Sequence, residues 1–190
     1  KQSTASAPNG HFMVIWHDEG SRVRGQLFDV DGVKLGAELS VNPPRGNSDI
    51  ASDVEGDFWV VAEGGYFSKY SNAGELLIDS QIFHDASNPY DPKITALADG
   101  RMLVSWYDGG DPSGSDIFGQ LISADGMLLG DVVLLNSTVA DSQRTLAISG
   151  LTSGGFVAAW QSYLQDGSLY GIYARVFDAS GAGGAEFRVN

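Results

Sequence analysis

Four times along the chain a short apolar run follows a turn glycine: HFMVIW after Gly10, DFWVVA after Gly56, RMLVSW after Gly100 and GFVAAW after Gly154. None of these runs alternates apolar with polar residues. At this length such a run reads as a β-strand buried on both faces. Each is followed by a segment that closes on a second glycine: RGQLFDVDG (24–32), YFSKYSNAG (66–74), FGQLISADG (118–126) and YARVFDASG (173–181). One polar residue stands between apolar neighbours in each of these: Gln26, Ser68, Gln120 and Arg175. A fourth segment then ends at Asn42, His84, Asn136 or Asn190, and a stretch of small residues precedes each first glycine, as in Ala5-Ser6, Ala51-Ser52, Thr95-Ala96 and Ser149-Gly150. The pattern predicts four strands per unit and four units, 1–42, 43–84, 85–136 and 137–190, which account for the whole chain. No helical periodicity interrupts it.

These units predict an all-β protein, a four-bladed β-propeller forming a single domain over 1–190. Small first-strand residues suit an innermost strand, where blades converge. Asp31-Gly32, Asp125-Gly126 and Ser180-Gly181 read as tight hairpin turns that need positive φ. The chain starts on a first strand and ends on a fourth, so no blade is shared between the termini and closure of a ring would rest on packing of unit 1 against unit 4. A closed ring is the favoured arrangement. The alternative is a segment of a longer array, or half of a larger ring completed by a second chain.

Charge narrows the partners. The formal net charge is −13, with 11 lysines and arginines against 24 acids. The cations never cluster, so the sequence points away from nucleic acid and from anionic membrane surfaces. No apolar run approaches the ~20 residues that span a bilayer. The absence of cysteine removes disulfides, thiolate metal sites and cysteine nucleophiles. No signal peptide is visible, and a chain beginning at Lys1 reads as a processed chain or an excised fragment.

Candidate chemistry is sparse. Trp16, Trp106 and Trp160 share one repeat position at the end of the second strand, with Tyr107, Tyr163 and Tyr170 nearby. They read either as platforms for sugar rings or as packing between blades, and recurrence at one slot favours packing. His11, His17 and His84 lack metal-ligand spacing. Carboxylates are plentiful, and a pair ~5–10 Å apart could hydrolyse a glycoside, but nothing marks a pair. The long loop YDGGDPSGSD (107–116) brings Asp108, Asp111 and Asp116 together on flexible backbone, the place where Ca²⁺ would bind if anywhere. A solvated acidic loop explains the same residues.

The stretch GGFVAAWQSYLQDGSLYGIYARVFDASGAGGAEFRVN (154–190) resembles the tandem unit of very large secreted bacterial proteins, often those with calcium-binding nonapeptide or cadherin-like segments. Unit 3, with LADGRMLVSWYDGG and DIFGQLISADG, looks like the same unit, and unit 1 matches more loosely. Unit 2 departs: Ala62 replaces the tryptophan, and Phe67 stands where the others have Gly25, Gly119 and Ala174. The resemblance implies a secreted or surface-attached bacterial protein of adhesive type and carries no catalytic residues. The expected function is a non-enzymatic extracellular binding module for a glycan or cell-surface ligand. A polysaccharide-acting enzyme using loop or channel carboxylates, and a structural spacer, are the alternatives.

Overall fold

The computed structural model describes residues 2–41, 46–84, 89–108 and 114–190, with Thr145 described by its backbone alone. Among the described residues it contains sixteen strands and no helix. Unit 1 supplies β1 (Gln2–Ser6), β2 (Phe12–His17), β3 (Val23–Phe28) and β4 (Lys34–Ser40); unit 2 supplies β5 (Ser48–Ser52), β6 (Phe58–Ala62), β7 (Tyr66–Tyr70) and β8 (Leu76–Ile82). Unit 3 supplies β9 (Pro89–Ala96), β10 (Met102–Asp108), β11 (Ile117–Ile122) and β12 (Leu128–Leu134); unit 4 supplies β13 (Gln143–Gly150), β14 (Phe156–Tyr163), β15 (Tyr170–Phe177) and β16 (Phe187–Arg188). Each unit is one four-stranded antiparallel meander whose strands pair in chain order, the blade of a β-propeller.

One turn joins strands one to two and three to four in every blade. The amide of Gly32 donates to the carbonyl of Asp29, and the same three-residue closure recurs at Gly10, Gly56, Gly74, Gly100, Gly126, Gly154 and Gly181. All eight glycines have positive φ, between 79° and 92°. The residue before each glycine does not share it, so these are turns whose last residue alone is left-handed rather than two-residue turns with both central residues at positive φ. At the turns of strands three and four, the side chain of the residue three before the glycine locks the loop: Asp29 Oδ1 accepts from the amides of Asp31 and Val33 at 3.0 and 2.8 Å.

The polar residue of each third strand serves the fourth strand. Register slips at that position in blades 1, 2 and 3. Gln26 Nε2 donates to the carbonyls of Leu27 and Leu35 at 3.0 and 3.1 Å, and Gln120 Nε2 repeats this on Leu121 and Leu129. Ser68 Oγ accepts from the amide of Ser80, and Arg175 Nε donates to the carbonyl of Gly184. A bulge leaves ladder groups unpaired, and the side chain replaces the missing partner.

Blades stack face to face through three apolar clusters. The first joins Met13, Ile15 and Leu27 of blade 1 to Phe58, Val60 and Tyr70 of blade 2. The second joins Trp59, Val61, Phe67 and Phe83 of blade 2 to Met102, Val104 and Trp106 of blade 3. The third joins Leu103, Ile117 and Leu135 of blade 3 to Phe156, Ala158, Trp160 and Phe177 of blade 4. Blade 2 thus moves its large aromatics to the other face: Phe67 stacks on Trp59 at 5.6 Å, which accounts for both departures of that unit from the common pattern. Inner strands run side by side in the order β1, β5, β9, β13. Asp49 of β5 staples three of them, accepting from Ser3 Oγ at 2.6 Å and from the amide of Ile94 at 3.2 Å.

Among the described residues no apolar cluster joins blade 4 to blade 1, and β13 makes no packing on β1 comparable to the other inner-strand pairs. The strand burial follows. β6 is buried along its whole length, whereas β2 and β14 alternate buried with half-exposed positions. The four-bladed propeller is present; a seal through packing of unit 1 on unit 4, which the closed ring needs, is not supplied by these clusters.

Candidate functional site

Second strands end, and first strands begin, at the same end of every blade, because β1 pairs Gln2 with Trp16, β5 pairs Ser48 with Ala62, β9 pairs Tyr90 with Tyr107 and β13 pairs Gln143 with Ser162. Trp16, Trp106, Trp160, Tyr107, Tyr163 and Tyr170 lie at this end, whereas His11 lies in the turn at the other. Burial divides them. Trp106 and Trp160 are 0 % and 1 % exposed. Trp106 packs against Phe83, His84 and Phe118, with ring centroids 5.2, 5.0 and 6.1 Å away, and Trp160 lies in the cluster between blades 3 and 4. Neither can present a ring face to a sugar; packing between blades is the role that fits them. Trp16 is half-buried because no blade lies against its side of blade 1.

The tyrosines reach the surface in two pairs. Tyr90 and Tyr107 stack at 5.8 Å with 19° between ring planes, and Tyr163 and Tyr170 meet at 5.0 Å and 53°. A bulge sets the first pair. Two residues of β9, Asp91 and Pro92, oppose the single Trp106, and Asp91 takes φ 43°, a left-handed conformation unusual outside glycine. Bulges re-aim side chains and mark functional edges more often than chance. Here the bulge is held by Lys93 Nζ, 2.9 Å from Asp91 Oδ1, and by Glu63, whose Oε1 accepts from the amide of Asp91 at 3.3 Å and from Asn47 Nδ2 at 2.6 Å. Blade 4 repeats the bulge opposite Trp160.

Tyr90, Asp91, Lys93 and Tyr107 of blade 3 therefore stand beside Glu63 and Asn47 of blade 2. Burial pushes the Tyr107 hydroxyl above its usual range, and the negative charge of Asp91 adds to this, while Arg144 acts in the other direction. The hydroxyl stays protonated and is a donor. Next to the group, an open depression between blades 1 and 2 is lined by His17, Ser21, Gly46, Asn47 and Glu63. His17 Nε2 lies 3.3 Å from Ser48 Oγ. The surface thus combines an apolar ring platform with carboxylate acceptors and amide, hydroxyl and ammonium donors.

Sequence reasoning included Tyr107 but missed Tyr90, Asp91, Lys93 and Glu63. Their available signal was Tyr-Asp-Pro directly before a small-residue strand, since a proline inside a strand pattern marks a bulge or an edge. The other expected sites do not join this group. His11 Nδ1 lies 3.5 Å from the carbonyl of Asn72, and His84 packs on Trp106. In the acidic loop, Asp108 Oδ1 accepts from the amide of Asp116 at 2.9 Å, and Asp116 Oδ1 accepts from Asn136 Nδ2 at 2.7 Å. Asp111 lies outside the described residues. Among the described residues no three His, Asp or Glu side chains form a group able to hold a metal ion. Among the described residues no helix is long and apolar enough to cross a membrane.

No protein-family model and no curated protein sequence matches the chain. Solved structures do. A glycoside hydrolase superposes over 96% of this chain and 48% of its own, at 11% identity and TM-score 0.60. An alpha-L-arabinofuranosidase from Clostridium thermocellum matches over 99% of this chain and 72% of its own, at 10% identity and TM-score 0.59. A fucose-specific lectin from Aleuria aurantia matches over 100% of this chain and 62% of its own, at 12% identity and TM-score 0.60. This chain spans about half of the first and under two thirds of the lectin. At these identities the likeness is one of architecture, and the chain shares the β-propeller fold.

Proposed function

We propose that this chain is an extracellular carbohydrate-binding propeller that holds a glycan on the axial end where blades 2 and 3 meet. The observation that carries it is the surface-reaching Tyr90–Tyr107 stack beside Glu63, Asp91, Asn47 and Lys93. A pyranose has an apolar face, which an aromatic ring desolvates, and a rim of hydroxyls that need fixed donors and acceptors. The named fucose lectin has the same architecture, and the resemblance of units 3 and 4 to secreted bacterial surface repeats supports an extracellular, adhesive setting. The strong negative charge suits solubility and disfavours anionic polymers as ligands.

A second reading has a specific observation of its own. Glu63 and Asp91 bring two carboxyl groups from adjacent blades into one cluster, and two carboxyl groups are what glycoside hydrolysis uses. A glycan panel scored for both retention and turnover separates the two. Binding without product, lost in Tyr107→Ala, supports the lectin reading. Product release abolished by Glu63→Gln or Asp91→Asn replaces it with an enzyme. Neither retention nor turnover across neutral and acidic glycans sinks both.

A further inference from the structure

At every junction between blades, the third strand of one blade faces the turn between the third and fourth strands of the next. The chain fills the space between them differently each time. At the junction of blades 1 and 2 the turn glycine is Gly74, and a Cβ there would lie 3.8 Å from Leu39 of β4. At the junction of blades 2 and 3 it is Gly126, and a Cβ would lie 2.7 Å from Ile78 and 3.8 Å from the ring of Phe67, which is fully buried and closes the space. At the junction of blades 3 and 4 it is Gly181, and a Cβ would meet nothing within 4 Å. Two side chains account for the difference. Gly119 holds the repeat position of Phe67. Val133, which pairs with Gly119 as Leu39 pairs with Gly25, is one carbon shorter than Leu39. A cavity of about 200 Å³ results, walled by Leu103, Leu121, Leu129, Val133, Leu135 and Phe156.

We propose that this cavity binds a small aromatic molecule carrying an ammonium group, with the ring where Phe67 stands one junction earlier and the ammonium at the rim. The chain itself sets the size, since the same space between blades 2 and 3 takes a phenyl ring. An apolar cavity of ~150 Å³ stays dry and takes up benzene. The rim sets the charge. Among the described lining residues, Asp131 and Ser180 are the ones with polar side-chain atoms, and both are exposed. Ser180 Oγ donates its hydrogen to Asp178 Oδ1 at 2.6 Å, so it offers a ligand lone pairs only. The Asp131 carboxylate likewise only accepts. Such a rim calls for a donor, and a net charge of −13 favours a cationic one. The site lies on the outer edge of the blades, beside the exposed β12, whereas Tyr90 and Tyr107 stand on first and second strands at another junction.

Calorimetric titration of the whole chain with benzylammonium, benzyl alcohol and benzoate tests this. Benzylammonium is expected to bind saturably at millimolar concentration. Benzyl alcohol should bind roughly threefold more weakly, the worth of one exposed ion pair, and benzoate not detectably. Gly119→Phe copies the filling of blade 2 and should abolish binding. Val133→Phe, at a strand position 41 % exposed, fills the space from the rim and should do the same. Circular dichroism and melting show that each variant folds, and Val133→Phe carries the test if Gly119→Phe does not. Asp131→Asn should lower benzylammonium to the affinity of benzyl alcohol and leave benzyl alcohol unchanged. Silence with benzylammonium overturns the proposal. So does benzylammonium binding that persists in a folded, filled variant, which would place the ligand elsewhere, or benzoate binding as tightly as benzylammonium.

Discussion

Lys69 is the least expected residue of the molecule, a lysine with a side chain 7 % exposed at the blade 2–3 junction. Its Nζ lies 3.0 Å from Asp53 Oδ2 and 3.1 Å from Asp57 Oδ2, 5.1 Å from the ring centre of Trp59, while Trp59 Nε1 donates to Asp53 Oδ2 at 2.8 Å. Burial pushes the Asp53 carboxyl up, but donation by Trp59 and Lys69 outweighs it and holds the group below the usual carboxylate range. Burial pushes Lys69 down, and Asp53 and Asp57 more than offset this. The stability due to Asp53 is complete above the ordinary carboxylate range and lost as pH falls through its lowered native value. That of Lys69 is complete below the ordinary lysine range and lost only as pH rises through its raised native value. Both are intact at neutral pH. Lys69→Met leaves buried carboxylates without a cation and is expected to cost ~3–5 kcal/mol at neutral pH in chemical denaturation. The penalty shrinks on acidification, as the unpaired carboxyls take up protons; a penalty independent of pH would show that packing of the lysine stem is what counts. Trp106→Ala and Trp160→Ala are each expected to cost ~3–5 kcal/mol, because both rings fill junctions between blades. Parent-like melting of either variant contradicts this. Recurrence at one repeat slot made the tryptophans legible as packing residues. Lys69 was not legible, since it stands in a third strand at a position where the other repeats carry apolar residues and its acids come from a turn.

Within the blade, local pattern and local structure agree closely. Eight glycines at fixed offsets predict eight turns, and all eight form. The polar residue of the third strand was visible in the sequence but not its purpose, because a register slip has no composition signature. Gln120→Ala removes the donor shared by Leu121, Leu129 and Gly130, and is expected to cost about 1 kcal/mol. The damage should be confined to β12, whose amides exchange faster while those of β10 hold; loss spread evenly over the blade argues against a strand-specific role. The small residues of the first strands have a sharper reason than convergence in general. Gly150 lies so close to β9 that a Cβ there would run into the carbonyl oxygen of Ala96, and its amide donates to Thr95 Oγ1 at 3.3 Å. Gly150→Ala forces these strands apart, and a lower melting temperature with the turn glycines untouched is the expected result.

Across the whole molecule, the number of blades was legible and their closure was not. Repeats announce a count, but whether a stack returns on itself depends on the small rotation between neighbours, which no single unit encodes. The apolar runs HFMVIW and GFVAAW read as buried on both faces, like those of units 2 and 3, yet each buries only one face within this chain. That discrepancy sets a stability gradient. Strand β6 is buried throughout and the first five residues of β10 are buried too, while β2 and β14 lean on a single neighbouring blade. Opening an end blade uncovers one junction; opening an inner blade uncovers two. Native-state hydrogen exchange reports such sub-global openings. Amides of β6 and β10 are expected to exchange slowest, at the rate of global unfolding, and those of β2 and β14 earlier, through separate openings of the end blades. Mild denaturant sharpens the distinction, because a sub-global opening exposes less surface and depends less steeply on denaturant. Protection of equal height and equal denaturant dependence in all four blades would mean that the end blades are held as firmly as the inner ones, and that the fourth blade does pack on the first within a single chain.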